Sequence, residues 1–182
     1  MKGRGRRNPE KLADELLEKY ALEPYEVDLI SLLKNEGIDL YRAELPADVS
    51  GILQVEGGKY TVFIQNSHNS HRQRFSIAHE LGHFILHNPK STHIDRKSFF
   101  RGPKAAEGLH NEEIEANRFA AALLMPRNWV YKAIDEFVDE FGEDLIDTDE
   151  DIISLLADKF NVSPSAMSFR LQNIGIFRSF SA

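Results

Sequence analysis

The chain has no cysteine. That excludes disulfides and thiolate metal sites, and it leaves histidine and carboxylate as the side chains able to hold a metal. The absence also fits a cytoplasmic protein. No apolar run approaches the ~18 residues that a transmembrane helix needs, so no membrane association is expected. The basic N-terminus lacks the apolar stretch after Arg7 that a secretory leader would require. Excess positive charge is missing too. Lys and Arg total 22 against 29 Asp and Glu, for a net charge of -7, which weighs against a nucleic-acid binder that uses the whole domain surface. Internal repeats and low-complexity segments are absent. What is present is 182 residues, 42% hydrophobic and 28% charged, the size and composition of an ordinary globular domain with at most a small appendage.

The stretch that organises the rest is Arg74 to His87, RFSIAHELGHFILH. Within it His79-Glu80-Leu81-Gly82-His83 matches H-E-x-x-H. On a helix, residues four apart share a face one turn apart, so two imidazoles at this spacing can grip one metal from a single rigid element. The Glu beside the first His stands where it can take a proton from an attacking water. Phe75, Ile77, Ala78, Leu81, Ile85 and Leu86 make the helix apolar all round, as for a buried helix. Gly82 costs ~1 kcal/mol of helix propensity relative to Ala, which makes sense where another backbone or a substrate must approach closely.

The surrounding chain reads as α+β. Residues 1–9, with Lys2, Arg4, Arg6 and Arg7 among glycines, read as a disordered basic tail. Amphipathic helices follow at Glu10–Tyr20 and from Pro24 to Gly37. A strand at Ile38–Leu45 and a hairpin of 50–56 and 59–65, turned by Gly57-Gly58, form an expected small antiparallel three-stranded sheet. Asn69 or Ser70 can cap the H-E-x-x-H helix, and Asn88-Pro89 ends it. Residues 90–110 have no clear period and read as a long loop. The loop is expected to pass the metal's open position and carries Phe99-Phe100 among cations, with glycines at 102 and 108; the pair either pins the loop to the core or grips substrate as the loop covers the cleft. Helices are then expected at 111–125, stopped by Pro126, and at 128–141. Two more, at 152–160 and 164–173, are split by Asn161-Val162-Ser163, a helix-turn-helix-like spacing with Ser163 as cap and Pro164 in the first turn. The expected division is 10–126 as a peptidase-like core and 127–182 as a helical C-terminal region packed on it.

A catalytic zinc usually has three protein ligands and one open position. With Cys absent, the candidates for the third are His87, His110, Glu112, Glu113 and Glu115. Three imidazoles from one straight helix would strain tetrahedral geometry, so a ligand from a second helix is easier than His87. Glu113 and Asn117, four apart, offer a ligand and a partner for the outer N–H of a metal-bound His. An acidic first turn also suits the helix dipole, which accounts for at least one of the three glutamates.

RFSIAHELGHFILH followed at a distance by EIEANRFAAALLMP resembles the ImmA/IrrE family of metallopeptidases. The resemblance covers about residues 25 to 126. It implies a reduced thermolysin-type core, one Zn²⁺ per chain on His79, His83 and Glu113, and Glu80 as the catalytic proton carrier. It also implies a protein substrate, a helix-turn-helix repressor or antitoxin whose cleavage relieves transcriptional repression. LADKFNVSPSAMSFRLQNIGI is similar to the helix-turn-helix-like segment of that family.

Two functions from different classes follow. In the first, a zinc endopeptidase, the partner for the developing oxyanion is left open, with His87, His110 and Tyr60 as weak candidates. The sheet edge could hold the substrate as an added strand. In the second, a transcription regulator, the metal is structural or sensory and residues 160–173 read DNA. That helix offers Ser165, Ser168, Arg170, Gln172 and Asn173, with Arg170 its one cation, while Met167, Phe169, Leu171 and Ile174 point to a core role.

Overall fold

The Gly57-Gly58 pair, with φ of 56° and 81°, makes the tight reversal that only glycine adopts freely, and it closes the expected hairpin. The computed structural model describes residues 8–96, 105–141 and 149–177. The hairpin joins β2 (Val49–Glu56) to β3 (Lys59–Gln65), antiparallel with Leu53 opposite Val62. β1 (Ile38–Ala43) lies on the other side of β3 and runs parallel to it, with Ile38 opposite Tyr60. β4 (His93–Arg96) pairs antiparallel with the free edge of β2, so the strand order is β1-β3-β2-β4.

The sheet is therefore four-stranded and mixed, not three-stranded and antiparallel. Two physical facts explain the difference. A parallel pair needs a long crossover, and here β2 with its two connections supplies it, a solution that alternation along each strand cannot reveal. β4 is too short to show a period of its own and lies within the stretch read as a loop.

Seven helices surround the sheet among the described residues: α1 (Pro9–Lys19), α2 (Leu29–Asn35), α3 (Ser70–His87), α4 (Ala105–Leu124), α5 (Arg127–Phe141), α6 (Asp149–Lys159) and α7 (Pro164–Asn173). Asn8 caps α1 by accepting the N–H of Glu10 at 3.0 Å, and Pro9 fills the first helical position, so the expected tail stops short of these two residues. Residues 1–7 lie outside the described part. α4 begins at Ala105, earlier than expected, because its first turns contain Gly108 and lack an apolar stripe. Phe99, Phe100 and Gly102, on which the expected cleft cover rested, lie outside the described residues. Ser163 caps α7 through the N–H of Ala166 at 3.2 Å.

One core joins all layers. Leu53, Val62 and Ile64 of the sheet, Ile77 and Leu81 of α3, and Phe119 and Leu123 of α4 are buried in the same cluster as Val130, Leu156, Phe160, Met167 and Leu171 of the C-terminal helices. Burying each such side chain contributes roughly 1.5–3 kcal/mol. Within α7, Phe169 is exposed, whereas Arg170 is enclosed and donates to the Met125 carbonyl at 2.8 Å and to Glu10 at 3.0 Å. No helix among the described residues is long and apolar enough to cross a membrane.

Candidate metal centre

α3 starts where Asn69 accepts the N–H of Arg72 at 2.9 Å, and it runs under the sheet with residues 76–83 all buried. The i, i+4 spacing brings His79 and His83 onto one face, with their Nε2 atoms 3.0 Å apart. α4 crosses α3 at Gly82. A Cβ there would meet Ala116 Cα and its carbonyl oxygen at 3.2 Å and Phe119 Cδ1 at 3.1 Å. The close approach that Gly82 implied is thus made by the backbone of α4. It brings Glu113, near Ala116 on α4, onto the histidines, with Oε2 3.1 Å from His79 Nε2 and Oε1 3.3 Å from His83 Nε2.

A fourth group completes the cluster. His93, on β4, stacks on His83 with ring centroids 3.8 Å apart and 29° between planes. Its Nε2 lies 3.1 Å from Glu113 Oε1, yet it is buried and out of line for a hydrogen bond. The ligand atoms of His79, His83, His93 and Glu113 all fall within 4.8 Å of one another. Close but misaligned atoms are what a shared central cation requires, since each then aims at the centre and not at its neighbour.

The donor set fits such a cation. Burial pushes His83 down to about 4, so its imidazole is neutral and carries a lone pair. Burial alone would push Glu113 up. The close approach of the His79, His83 and His93 nitrogens outweighs it and holds the carboxyl well below the usual range, so it is anionic. His79 Nδ1 stands 3.1 Å from Asn117 Oδ1, an acceptor only, which places the ring proton on Nδ1 and leaves Nε2 free to ligate. The His79 and His83 Nε2 atoms stand 3.0 Å apart, and a divalent ion beside them would take a lone pair from each ring. Imidazole and carboxylate suit zinc and its first-row neighbours.

Glu80 sits beside this cluster. It is fully buried, and neither carboxylate oxygen has a hydrogen-bond partner among the described residues. A Cβ at Gly51 would lie only 2.6 Å from Glu80 Oε1, so glycine at that point of β2 makes room for the carboxylate. Burial raises the Glu80 carboxyl well above its ordinary value. Asp95 of β4, paired in register with Gly51, comes close to both Glu80 and His79.

The remaining expected residues fall elsewhere. His87 directs Nε2 at the Glu112 carbonyl, 3.3 Å away, and so ties α3 to α4. Tyr60 donates to Asn88 Oδ1 at 2.9 Å and packs edge-on against Phe84, which braces the left-handed cap of α3 at Asn88. The side chain of His110 lies outside the described residues. Sequence reasoning missed His93, Asp95 and Gly51. The available signals were another histidine ten residues beyond His83 and a glycine inside a strand, which marks a close approach. A groove of about 900 Å³ opens between α3, α4 and α7. Asn117, Phe75, Ile114 and Arg118 help to line it, but none of the four converging residues does.

Comparisons with known proteins bear on the family and the fold. The model of a peptidase family described as the IrrE N-terminal-like domain matches residues 33–172. The chain is 28% identical to Metallopeptidase ImmA of Bacillus subtilis (strain 168) over 153 residues, 84% of this chain and 75% of that protein. Among solved structures, a Mycobacterium tuberculosis transcriptional regulator shares the fold, with a TM-score of 0.59 at 18% identity over 90% of this chain. The chain spans about half of that regulator, 46% of its length.

Proposed function

The chain belongs to the IrrE N-terminal-like peptidase family, that of the ImmA/IrrE metallopeptidases, and from that premise we propose that it is a zinc-dependent endopeptidase. The observation that carries the reading is Glu80: a fully buried carboxylate without a hydrogen-bond partner among the described residues, beside a convergent set of imidazoles and a carboxylate. An unpartnered buried carboxylate costs stability, and proteins keep one where chemistry needs it.

In this mechanism His79, His83 and Glu113 would hold one Zn²⁺, which would polarise the scissile carbonyl and lower the pKa of water towards ~7. Glu80 takes the proton of the attacking water and delivers it to the leaving amine. The unpartnered oxygens of Glu80 suit this transfer, because no donor among the described residues competes for them. Gly51 keeps the space in which the carboxylate can turn between water and amine. Asn117 holds the His79 ring in the ligating tautomer.

The substrate in this reading is a helix-turn-helix repressor or antitoxin. The enclosure of Arg170, the one cation of α7, supports peptidase over DNA reader, since a duplex-reading helix needs its cations at the surface. Co-expression with the helix-turn-helix protein encoded nearest to this chain, with mass spectrometry of the products, tests the reading. A discrete cut that disappears on chelation is expected. An intact partner, together with no bound metal in the purified protein, would overturn it.

A further inference from the structure

His93 is the one member of the cluster that a three-ligand zinc site does not use. It comes from β4, the strand that covers the free edge of β2. Along β4 the side chains alternate. His93 pairs with the buried Leu53 and Asp95 with Gly51, so both face α3, while Ile94 faces the other way and is 41% exposed. The pairing is four residues long and is interrupted between Val49 and Gly51. It is reinforced just upstream, where the N–H of Val55 donates to Thr92 Oγ1 at 3.3 Å. A strand laid on β2 in this register necessarily presents a side chain to the metal cluster.

Resting on the zinc reading above, we propose that His93 is a fourth metal ligand, so that the resting site is closed as His79-His83-His93-Glu113. β4 thus serves as an internal occupant of the substrate's place. The position that a catalytic metal leaves open is filled by the imidazole. The edge of β2, which an extended peptide would pair with, is filled by the backbone of the same strand. The two obstructions are one element, and a peptide that adds to β2 removes both at once. Burial supports the assignment: His79 and His83 are nearly inaccessible, and the stacked His93 ring lies against His83 from the β4 side. A closed site of this kind limits hydrolysis to peptides able to compete for the β2 edge.

The test uses the full chain loaded with Co²⁺, whose visible absorption reports ligand number, and azide as a small exogenous ligand. The native protein should give the intense bands of a four-coordinate ion, and azide in the millimolar range should leave them unchanged. His93→Ala should bind Co²⁺ about tenfold or more weaker, and azide should shift its bands. His93→Gln, which keeps more of the volume, guards against loss of the strand, and the far-ultraviolet spectrum and melting of both variants report folding. Unchanged Co²⁺ affinity and azide-insensitive bands in a folded His93 variant would overturn the fourth-ligand assignment while leaving the peptidase reading intact. Native protein that binds no Co²⁺ at all would overturn both, so the two failures are distinguishable. Azide shifting the bands of the native protein would show an open site and also overturn the proposal.

Discussion

Arg170 and Glu80, two ionisable side chains, are buried under opposite conditions. Arg170 on α7 is 3% exposed and is partnered, with Nε on the Met125 carbonyl and its terminal nitrogen on Glu10. Glu80 on α3 is 0% exposed and has no hydrogen-bond partner among the described residues. A buried charge with its hydrogen bonds made fastens elements together, here α7 to the end of α4 and the start of α1. A buried carboxyl without them is a standing cost, and in the peptidase reading it persists because water and substrate would complete it. The same degree of burial therefore marks architecture at Arg170 and, in the peptidase reading, chemistry at Glu80.

The strongest way to break this comparison is Glu80→Gln. If the carboxylate is the proton carrier, cleavage should fall on the order of 10³-fold while metal content is unchanged. The metal-free protein should melt no lower than its parent, because Glu80 makes no hydrogen bond among the described residues that the amide would lose. Cleavage at the parental rate would falsify the role of Glu80 and, with it, the contrast.

Arg170→Met is the mirror experiment. It keeps most of the volume but strands the Met125 carbonyl and leaves Glu10, half exposed, to water. The loss should be about 2 kcal/mol of unfolding free energy, the range for an unsatisfied buried acceptor, read by urea denaturation. Metal affinity and cleavage per folded molecule should not move. A change in either would mean that α7 is coupled to the metal cluster and that the two regions are not separate.

Asn117→Ala tests the link between the two regimes, since Asn117 fastens a ligand and also lines the groove beside α7. Metal affinity should drop about tenfold. Asn117→Asp, which still accepts the His79 Nδ1–H, should restore it. Equal affinities for Ala and Asp would assign Asn117 to packing alone.

How much of this could be read from residues alone follows physical lines. Ligands four apart on one helix are legible because helical geometry is local, and Glu113 was legible because its helix announces itself by period and by the Asn117 partner. Gly82 announced a close approach without saying whose. The parallel placement of β1 was not legible, since its evidence lies in which strand edge is free, a property of the assembled sheet. His93 was hidden for a related reason: its strand is four residues long, and only the pairing with β2 brings a residue ten positions beyond His83 back to the same point. Glu80 was nameable from the motif, but the room for its carboxylate was not, because that depends on Gly51, which comes from strand β2.

The smallest expected effect sharpens the comparison most, because it alters the spacing of the site without touching a charge. Gly82 is where α3 and α4 meet backbone to backbone, and the crossing sets how far Glu113 stands from His79 and His83. In Gly82→Ala, the methyl meets Ala116 Cα and its carbonyl oxygen at 3.2 Å, and those are backbone atoms that can yield only if α4 shifts. Overpacking of this kind costs about 1–3 kcal/mol, and the better helix propensity of Ala returns ~1 kcal/mol of it. The net loss should be about 1 kcal/mol in the metal-free protein. The loaded protein should lose more than the metal-free one, since a carboxylate pushed outward ligates less well. Comparing melting with and without zinc therefore separates the two contributions. If the loss is the same in both, the helix crossing sustains the fold and the carboxylate finds its ligating position regardless of it. If the loss grows with metal, the glycine is part of the machinery that places Glu113, and packing and chemistry meet at one missing methyl group.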